Sequence, residues 1–433
     1  MNFNYFIKRP FEGLFLFFLF SNCFSSELPL KPFISKINYL GIKKTQNFVI
    51  DREIRHPKNS YLDSLFVEED KTRLNNLGLF SDISWSIVPL EDGTFILQYI
   101  FIETIQEIPI TILPFYNVET GWSIRGGWLI NNYLGKNQTL GLIGSFGGLN
   151  TYGIKFYDPW IFGNHISLGF NLTKAFYNHT FLNKNVLSNS VSILMGKWFG
   201  DRIKTNAGIK IENKQFSSDD KISFFSFIPE VSVVYDSRDL FWNPSSGLNF
   251  YNSIIFSIDY RNNSYSNLIW KQSYSFYQEL MDLKKKLILS LNLTLYRKWE
   301  GKEEVRKLSL GDAYSIRGWS IPDYKIYSES RNSFRFGHEY FIGSIELRKV
   351  IIDKFVTKYG IETGLMLVGF FDFGKIADNW SDLKNQKTII AGSGFGFRIP
   401  IPLFDAIRFD LGWGLHGGIN SKPSLHFALM QKF

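Results

Sequence analysis

The sequence predicts a mostly β protein: a sixteen-stranded antiparallel transmembrane β-barrel over residues 109–433, preceded by one small α+β module of order β-α-α-β-β over residues 33–104. Three observations predict it. Beyond residue 109, apolar and polar residues alternate with a period of two in about sixteen segments, the pattern of strands with one apolar and one polar face. Past the first 25 residues no apolar run approaches the ~18 residues that a membrane helix needs. Aromatic residues make up 17% of the 433 residues, with 43 Phe, 21 Tyr and 11 Trp. That load excludes a disordered or collagen-like chain, and one Cys excludes a disulfide scaffold or a multi-Cys metal site. The mean hydropathy of -0.08 is nevertheless that of a soluble protein.

The first 25 residues read as a secretory signal peptide. Lys8 and Arg9 form a basic start, Gly13 to Phe20 is an apolar run too short to span a bilayer, and Cys23 and Ser25 are small residues before a cleavage point. Lipidation of Cys23 is the competing reading, although Phe20 and Asn22 fit a lipidation motif poorly. Export leaves three destinations: periplasm, medium, or outer membrane.

Charge divides the remainder unevenly. Residues 26–108 carry 9 Lys+Arg against 12 Asp+Glu, and residues 109–433 carry 37 against 27. No run of like charge is dense enough for a nucleic-acid patch, so no nucleic-acid partner is expected.

In the amino-terminal module, Ile34, Ile37 and Tyr39 open a strand that Gly41 ends. Val49, Ile50 and Ile54 mark a short amphipathic helix, and a second runs from about Phe66 to Leu77 with Gly78 at its C′ position. Phe80 to Val88 alternates, Asp92-Gly93 supplies hairpin-turn chemistry, and Phe95 to Ile102 returns. With Gly41, the Leu74, Leu77, Gly78, Phe80 spacing and the closing Glu103, this order resembles a POTRA domain. The resemblance implies a docking module in the periplasm whose exposed sheet edge accepts an extended client by strand addition.

The clearest strand of the large region has Leu287, Leu289, Leu291, Leu293 and Leu295 on one face and Ile288, Ser290, Asn292, Thr294 and Tyr296 on the other. In a membrane barrel such a strand is apolar outward and polar inward. Ile407, Phe409, Leu411 and Trp413 alternate in the same way with Arg408, Asp410 and Gly412. An even strand number closes a barrel with both ends on the periplasmic side. Trp122, Trp128, Trp198, Trp270 and Trp413 are candidates for its interfacial girdles.

The longest gap without alternation, about 298–337, predicts a long loop. It contains Leu308-Ser309-Leu310-Gly311-Asp312-Ala313-Tyr314-Ser315-Ile316-Arg317-Gly318-Trp319. The Leu-Gly-Asp approach and the Ile-Arg-Gly-Trp tetrad, between the eleventh and twelfth strands, resemble the loop of the BamA/TamA outer-membrane assembly family. That resemblance implies that the loop folds into the lumen and that Arg317, flanked by Gly318 and Trp319, meets acids on the next strands. Alternation within Ser344-Ile345-Glu346-Leu347-Arg348 and Phe371-Asp372-Phe373 points Glu346 and Asp372 inward. A guanidinium reaching both would fix the loop more sharply than a lysine. Leu347-Arg348-Lys349-Val350 departs from the family in lacking its proline after this Glu.

Two further matches extend the resemblance over residues 33–433. Asp236 and Arg238, followed by Pro244 and Gly247, resemble the family's Asp-x-Arg and Pro-x-x-Gly turn. Leu425, Phe427, Leu429, Gln431 and Phe433 alternate and finish on an aromatic, like the carboxy-terminal signal of outer-membrane barrels, with His426, Ala428 and Met430 expected inward.

Chemistry of other kinds finds no constellation in the sequence. Six His are scattered without metal-ligand spacing, Gly392-Ser393-Gly394-Phe395-Gly396 lies on a predicted strand, and no nucleophile elbow occurs. No enzyme activity, cofactor or metal is expected. The resemblance implies an outer-membrane protein that docks unfolded clients through its POTRA domain and inserts them at a lateral seam between the first and last strands. Its partners would be unfolded outer-membrane or secreted client proteins, outer-membrane lipid and periplasmic accessory proteins. The rival readings are a two-partner secretion translocator and, in another class, a passive porin or lipid-handling barrel.

Overall fold

The computed structural model describes residues 31–117, 121–163, 165–217, 222–241, 243–260, 266–281, 286–358, 362–384, 389–401, 406–415 and 422–433. The leader reading on residues 1–25 lies outside them.

The amino-terminal module begins with β1 (Phe33–Leu40), α1 (Asn47–Asp51) and the two-residue β2 (Ser60–Tyr61). It continues with α2 (Ser64–Asn76), β3 (Phe80–Pro89) and β4 (Phe95–Glu103). The sheet order is β2-β1-β4-β3, with β1 parallel to β4 and the other pairs antiparallel. β2 is an addition to the expected order, and α1 stops at Asp51, short of Ile54. Helix α2 starts because Asp63 accepts a hydrogen bond from Leu65 N at 3.0 Å. It is followed by Gly78 at a φ of 68°. Its inner face buries Val67 and Leu74 against Ile34, Ile83, Leu97 and Phe101. Asp70 is buried too, and its carboxylate accepts from Arg55 N at 2.8 Å and from Tyr99 Oη at 3.1 Å while pairing with Arg73. Glu103 ends the module by accepting from Thr45 N at 2.8 Å.

The large sheet opens with β5 (Glu107–Asn117), β6 (Gly121–Tyr133), β7 (Gln138–Gly147), β8 (Leu149–Asp158), β9 (Ile166–Asn178) and β10 (Asn185–Phe199). It goes on through β11 (Ile203–Ser217), β12 (Ile222–Asp236), β13 (Gly247–Asp259), β14 (Ser266–Met281) and β15 (Leu287–Trp299). The long loop after β15 holds the tiny hairpin of β16 (Leu308–Ser309) and β17 (Phe336–Gly337) and the one-turn helix α3 (Tyr324–Ser328). The sheet then resumes with β18 (Glu339–Val356), β19 (Glu362–Ala377), β20 (Ile390–Pro400), β21 (Ala406–Leu415) and β22 (Ser424–Leu429). Sixteen strands pair in sequence order, antiparallel throughout, with β5 and β22 as the two ends.

Alternation sorts the faces. On β18, Ile345 is 39% and Leu347 46% exposed, whereas Ser344, Glu346 and Arg348 are buried. The buried face curls around a common interior: the Tyr277 ring of β14 lies 6.4 Å from that of Phe433, although β14 and β22 are six strands apart in the pairing order.

Two expectations fail. Trp198 does not join an outer girdle; it stacks on Phe241 at 6.2 Å near the module. Its neighbours Ile193, Met195 and Phe199 take the exposed face, which leaves Trp198 on the other. The last strand also stops at Leu429 rather than running to Phe433. Met430 adopts a φ of 69°, which breaks the alternation, so Met430 points out at 55% exposure. Gln431 has both amide atoms shielded, and Lys432 and Phe433 turn into the interior. The Lys432 ammonium finds Asp372 at 2.8 Å, Ser315 O at 2.6 Å and Ser344 Oγ at 2.8 Å. Those charge-assisted bonds outweigh a few more ladder contacts at an edge.

Candidate functional site

The long loop folds back over the buried face of β18–β21 and delivers Arg317 to its centre. The approach is built by Asp312, whose carboxylate accepts from Tyr314 N at 2.7 Å and Ser315 N at 2.5 Å, and by Gly311 at a φ of 116°. Arg317 is fully buried. Its Nε and Nη2 donate to the two oxygens of Asp372 at 2.7 and 2.9 Å, and Nη1 donates to Glu346 at 2.6 Å. The backbone N of Arg317 adds a bond to Asp372 at 3.0 Å. The guanidinium also lies 3.7 Å from the centre of the Phe370 ring.

Gly318 follows at a φ of 92°, and a Cβ there would sit 2.5 Å from the carbonyl carbon of Trp413. Only glycine fits that conformation against a neighbouring strand. Its N–H donates to His426 Nε2 at 2.9 Å, and Trp319 Nε1 donates to Ala391 O at 2.7 Å. The glycine-rich stretch of β20 completes the groove, because a Cβ on Gly392 would fall on the carbonyl oxygen of Arg317. These glycines make room for a peptide backbone, not for a nucleotide.

Around the Arg317, Glu346 and Asp372 triad stand residues that sequence reasoning left unconnected. Arg348 Nε donates to Glu346 at 2.8 Å, and Arg398 bridges Glu346 at 3.3 Å and Asp410 at 2.5 Å. Arg408 lies 3.8 Å from Asp410 and donates to Ala313 O at 3.3 Å. Five cations, Lys432 included, thus meet three carboxylates in a space closed to solvent. The signal for most of them was present in the alternation, which places Arg348, Arg408 and Asp410 on the inner face. Lys432 keeps the inward phase of His426 and Ala428 although the ladder has ended at Leu429.

The other predicted residues lie elsewhere. Arg238 grips Asp236 through Nε at 2.9 Å and Nη2 at 2.6 Å, Pro244 is buried, and Gly247 has a φ of 106°. This turn touches the module: Phe241 N donates to Asn76 Oδ1 at 3.0 Å, and Asn76 Nδ2 donates to Asp239 O at 3.2 Å. Phe427 and Leu429 are in ladder pairs with β21, the Phe427 ring 5.2 Å from that of Phe409. Phe433 is not on the edge of the sheet; its ring lies 5.2 Å from the Arg348 guanidinium.

The module holds on at three further turns, one of them the β8–β9 turn, where the Arg52 guanidinium lies 4.5 Å from the centre of the Trp160 ring. Gln46 N donates to Gly135 O at 2.9 Å in the β6–β7 turn, with Asn132 Nδ2 on Thr45 Oγ1 at 2.9 Å. Arg55 forms a two-pronged ion pair with Asp201 in the β10–β11 turn. Beside it, burial pushes the Glu53 carboxyl up to about 7; Arg73 and Arg55 pull the other way and Asp201 adds repulsion.

Apolar outside and polar within, sixteen antiparallel strands have the character of a transmembrane β-barrel. A family model described as the Omp85 superfamily domain matches residues 132–433. The chain belongs to the Omp85 superfamily, and so to the bacterial outer-membrane β-barrels. Among solved structures it is similar to BamA from Haemophilus ducreyi lacking POTRA domains 1–3, at 17% identity and a TM-score of 0.56, over 92% of this chain and 83% of that one. It is also similar to CdiB from Acinetobacter baumannii, at 14% identity and a TM-score of 0.53, over 92% and 74% of the two chains. CdiB from Escherichia coli gives 12% identity and a TM-score of 0.55, over 92% and 75%.

Proposed function

We propose that the protein is an outer-membrane assembly factor: its amino-terminal module, read as a single POTRA domain in the periplasm, receives unfolded client strands, and the barrel passes them into lipid at the seam between β5 and β22. The observation that carries this reading is the mismatch of the two sheet ends. β5 has 11 residues and β22 has six, and among the described residues no ladder joins them. An unpaired edge in hydrocarbon is costly, and a client strand is what would satisfy it. β3 and β2 are likewise the edges of the module sheet, open to strand addition.

In this reading the Arg317 cluster is a latch. It pins the long loop inside the barrel and, through Lys432, ties the end of β22 to the same carboxylates. Sixteen closed strands, a periplasmic module and lipid at the seam are parts of one proposal. Depletion tests it: loss of many outer-membrane barrels from the envelope is the expected result. Loss of a single secreted protein would favour a two-partner secretion translocator, the reading that likeness to CdiB supports, and loss of neither would favour a passive pore.

A further inference from the structure

On the outer face of the sheet, away from the Arg317 cluster, β6–β12 hold an open recess of about 1050 Å³. The strand register lays two rows of outward side chains across it. One runs from Gly126 through Gly144, Tyr152 and Lys174 to Asn189 and Asn213, each residue the cross-strand partner of the next. The other, one step along every strand, is Trp128, Leu142, Ile154, Leu172, Val191 and Ile211, paired in the same order. The first row is polar or bare, and the second is wholly apolar.

The bare part forms a dent. Gly126 and Gly144 face each other across the ladder, and a Cβ on Gly126 would meet nothing within 4 Å. The rest of the row supplies polarity. Among the described residues Lys174 is the one charged side chain that lines the recess, and it makes no ion pair or hydrogen bond with them. Tyr152 and Asn189 flank it across the ladder. Asn213 holds its amide oxygen shielded and without a partner among the described residues.

Depth gives these rows their meaning. The module meets the β6–β7, β8–β9 and β10–β11 turns, whereas Lys174 stands in the last third of β9, toward Asn178, and Tyr152 near the start of β8. The polar row therefore lies toward the rim opposite the module, and the apolar row lies deeper. Trp122, 68% exposed on the same face and still nearer that rim, suits the membrane interface. A lysine on a lipid-facing wall is unfavourable unless its ammonium reaches water or an anion. Polar toward the rim and apolar toward the midplane is also the order of a lipid.

We infer that this recess is a binding site for an anionic, phosphate-bearing lipid of the leaflet away from the module. The phosphate meets the Lys174 ammonium, with the Tyr152 hydroxyl and the Asn189 amide as neutral donors beside it. A headgroup hydroxyl meets the open amide oxygen of Asn213, and an acyl chain lies in the dent over Trp128, Leu142 and Ile154. A cation with no acid among the described lining residues selects an anion, and the apolar row selects an amphiphile over a free phosphate. A zwitterionic head brings its own cation to the lysine and gains less. The inference rests on the barrel standing in a membrane and not on the client-handling reading.

The test reconstitutes the full chain in phosphatidylcholine vesicles and replaces rising fractions of that lipid with phosphatidylglycerol carrying brominated chains, which quench tryptophan. The share of the signal due to Trp128 is the difference from Trp128→Phe. Half-quenching at a lipid fraction about fivefold lower for brominated phosphatidylglycerol than for brominated phosphatidylcholine is expected. Lys174→Gln should bring the two curves together. Lys197→Gln, exposed on the same outer face near the module end of β10, should keep them apart. Gly126→Leu should fill the dent and raise the half-quenching fraction of the anionic lipid several-fold. Both lysines are exposed, so their variants should fold, as heat-modifiable mobility checks. Equal curves for the two lipids in the wild-type protein, a preference that survives Lys174→Gln or is lost in Lys197→Gln, or no change in Gly126→Leu overturns the inference.

Discussion

Arg317 shows why a side chain's geometry outranks its charge. One planar fork reaches both oxygens of Asp372 and one of Glu346, an arrangement that a lysine's point charge cannot reproduce. Arg317→Ala should leave two carboxylates buried among displaced partners, at a cost of about 3–5 kcal/mol to the loop's docked state. In intact cells the loop should then become cleavable by added protease, and an unchanged cleavage pattern would count against the latch. Arg317→Lys should show the same defect in weaker form. Glu53 supplies a pH dependence at the module junction. Its carboxyl is raised from the ordinary 4.5 to about 7, so the native state favours the protonated acid. That stabilisation is fully present below about 4.5 and is lost as pH rises through 7. Glu53→Gln should flatten the fall in thermal stability over that interval, as read by unfolding at a series of pH values.

At the scale of elements, the two-residue period carried the most information. It located the strands of the large sheet closely because each must put apolar residues outward and polar ones inward, and a slip of one residue would reverse every side chain. Left-handed residues and local ion pairs are invisible to it, which is why Met430 and Phe433 depart from their expected faces while Glu346 and Asp372 lie inward as expected. Trp198 failed for a related reason: tryptophan suits an interface and a stacked junction alike, and composition does not choose. The site's triad was legible because its members sit in a loop motif and on well-phased strands. Arg398 and Asp410 needed the register between β20 and β21, which pairs Gly396 with Asp410 and Arg398 with Arg408. The sheet ends bear a prediction of their own. β5 already contains Pro109 and Pro114, so it tolerates missing N–H donors on its own account. A further proline, Ile112→Pro, should reduce client insertion several-fold while heat-modifiable folding of the protein itself persists. Equal loss of both would remove the seam proposal.

Across the whole molecule, charge is arranged by depth. The centre holds a dense cluster of five cations and three carboxylates, and the module side holds surface ion pairs of modest strength. Arg55 and Asp201 are each about 40% exposed on their side chains, so the pair contributes only about 0–1 kcal/mol and should weaken with salt. Asp201→Asn should loosen the module without unfolding either part, as seen by faster proteolysis at the junction with an unchanged barrel melting temperature. A rigid junction after that change would show that the other contacts suffice.

Among the described residues the module meets four turns, at Gly135, Trp160, Asp201 and the Asp239–Phe241 segment. Three supports that do not share a line fix a body against every rotation, as three legs fix a stool. Release of one of the four still leaves three. Loss of the exposed Arg55 contact therefore leaves a looser mount that keeps its orientation, resting on Gly135, Trp160 and the Asp239 turn.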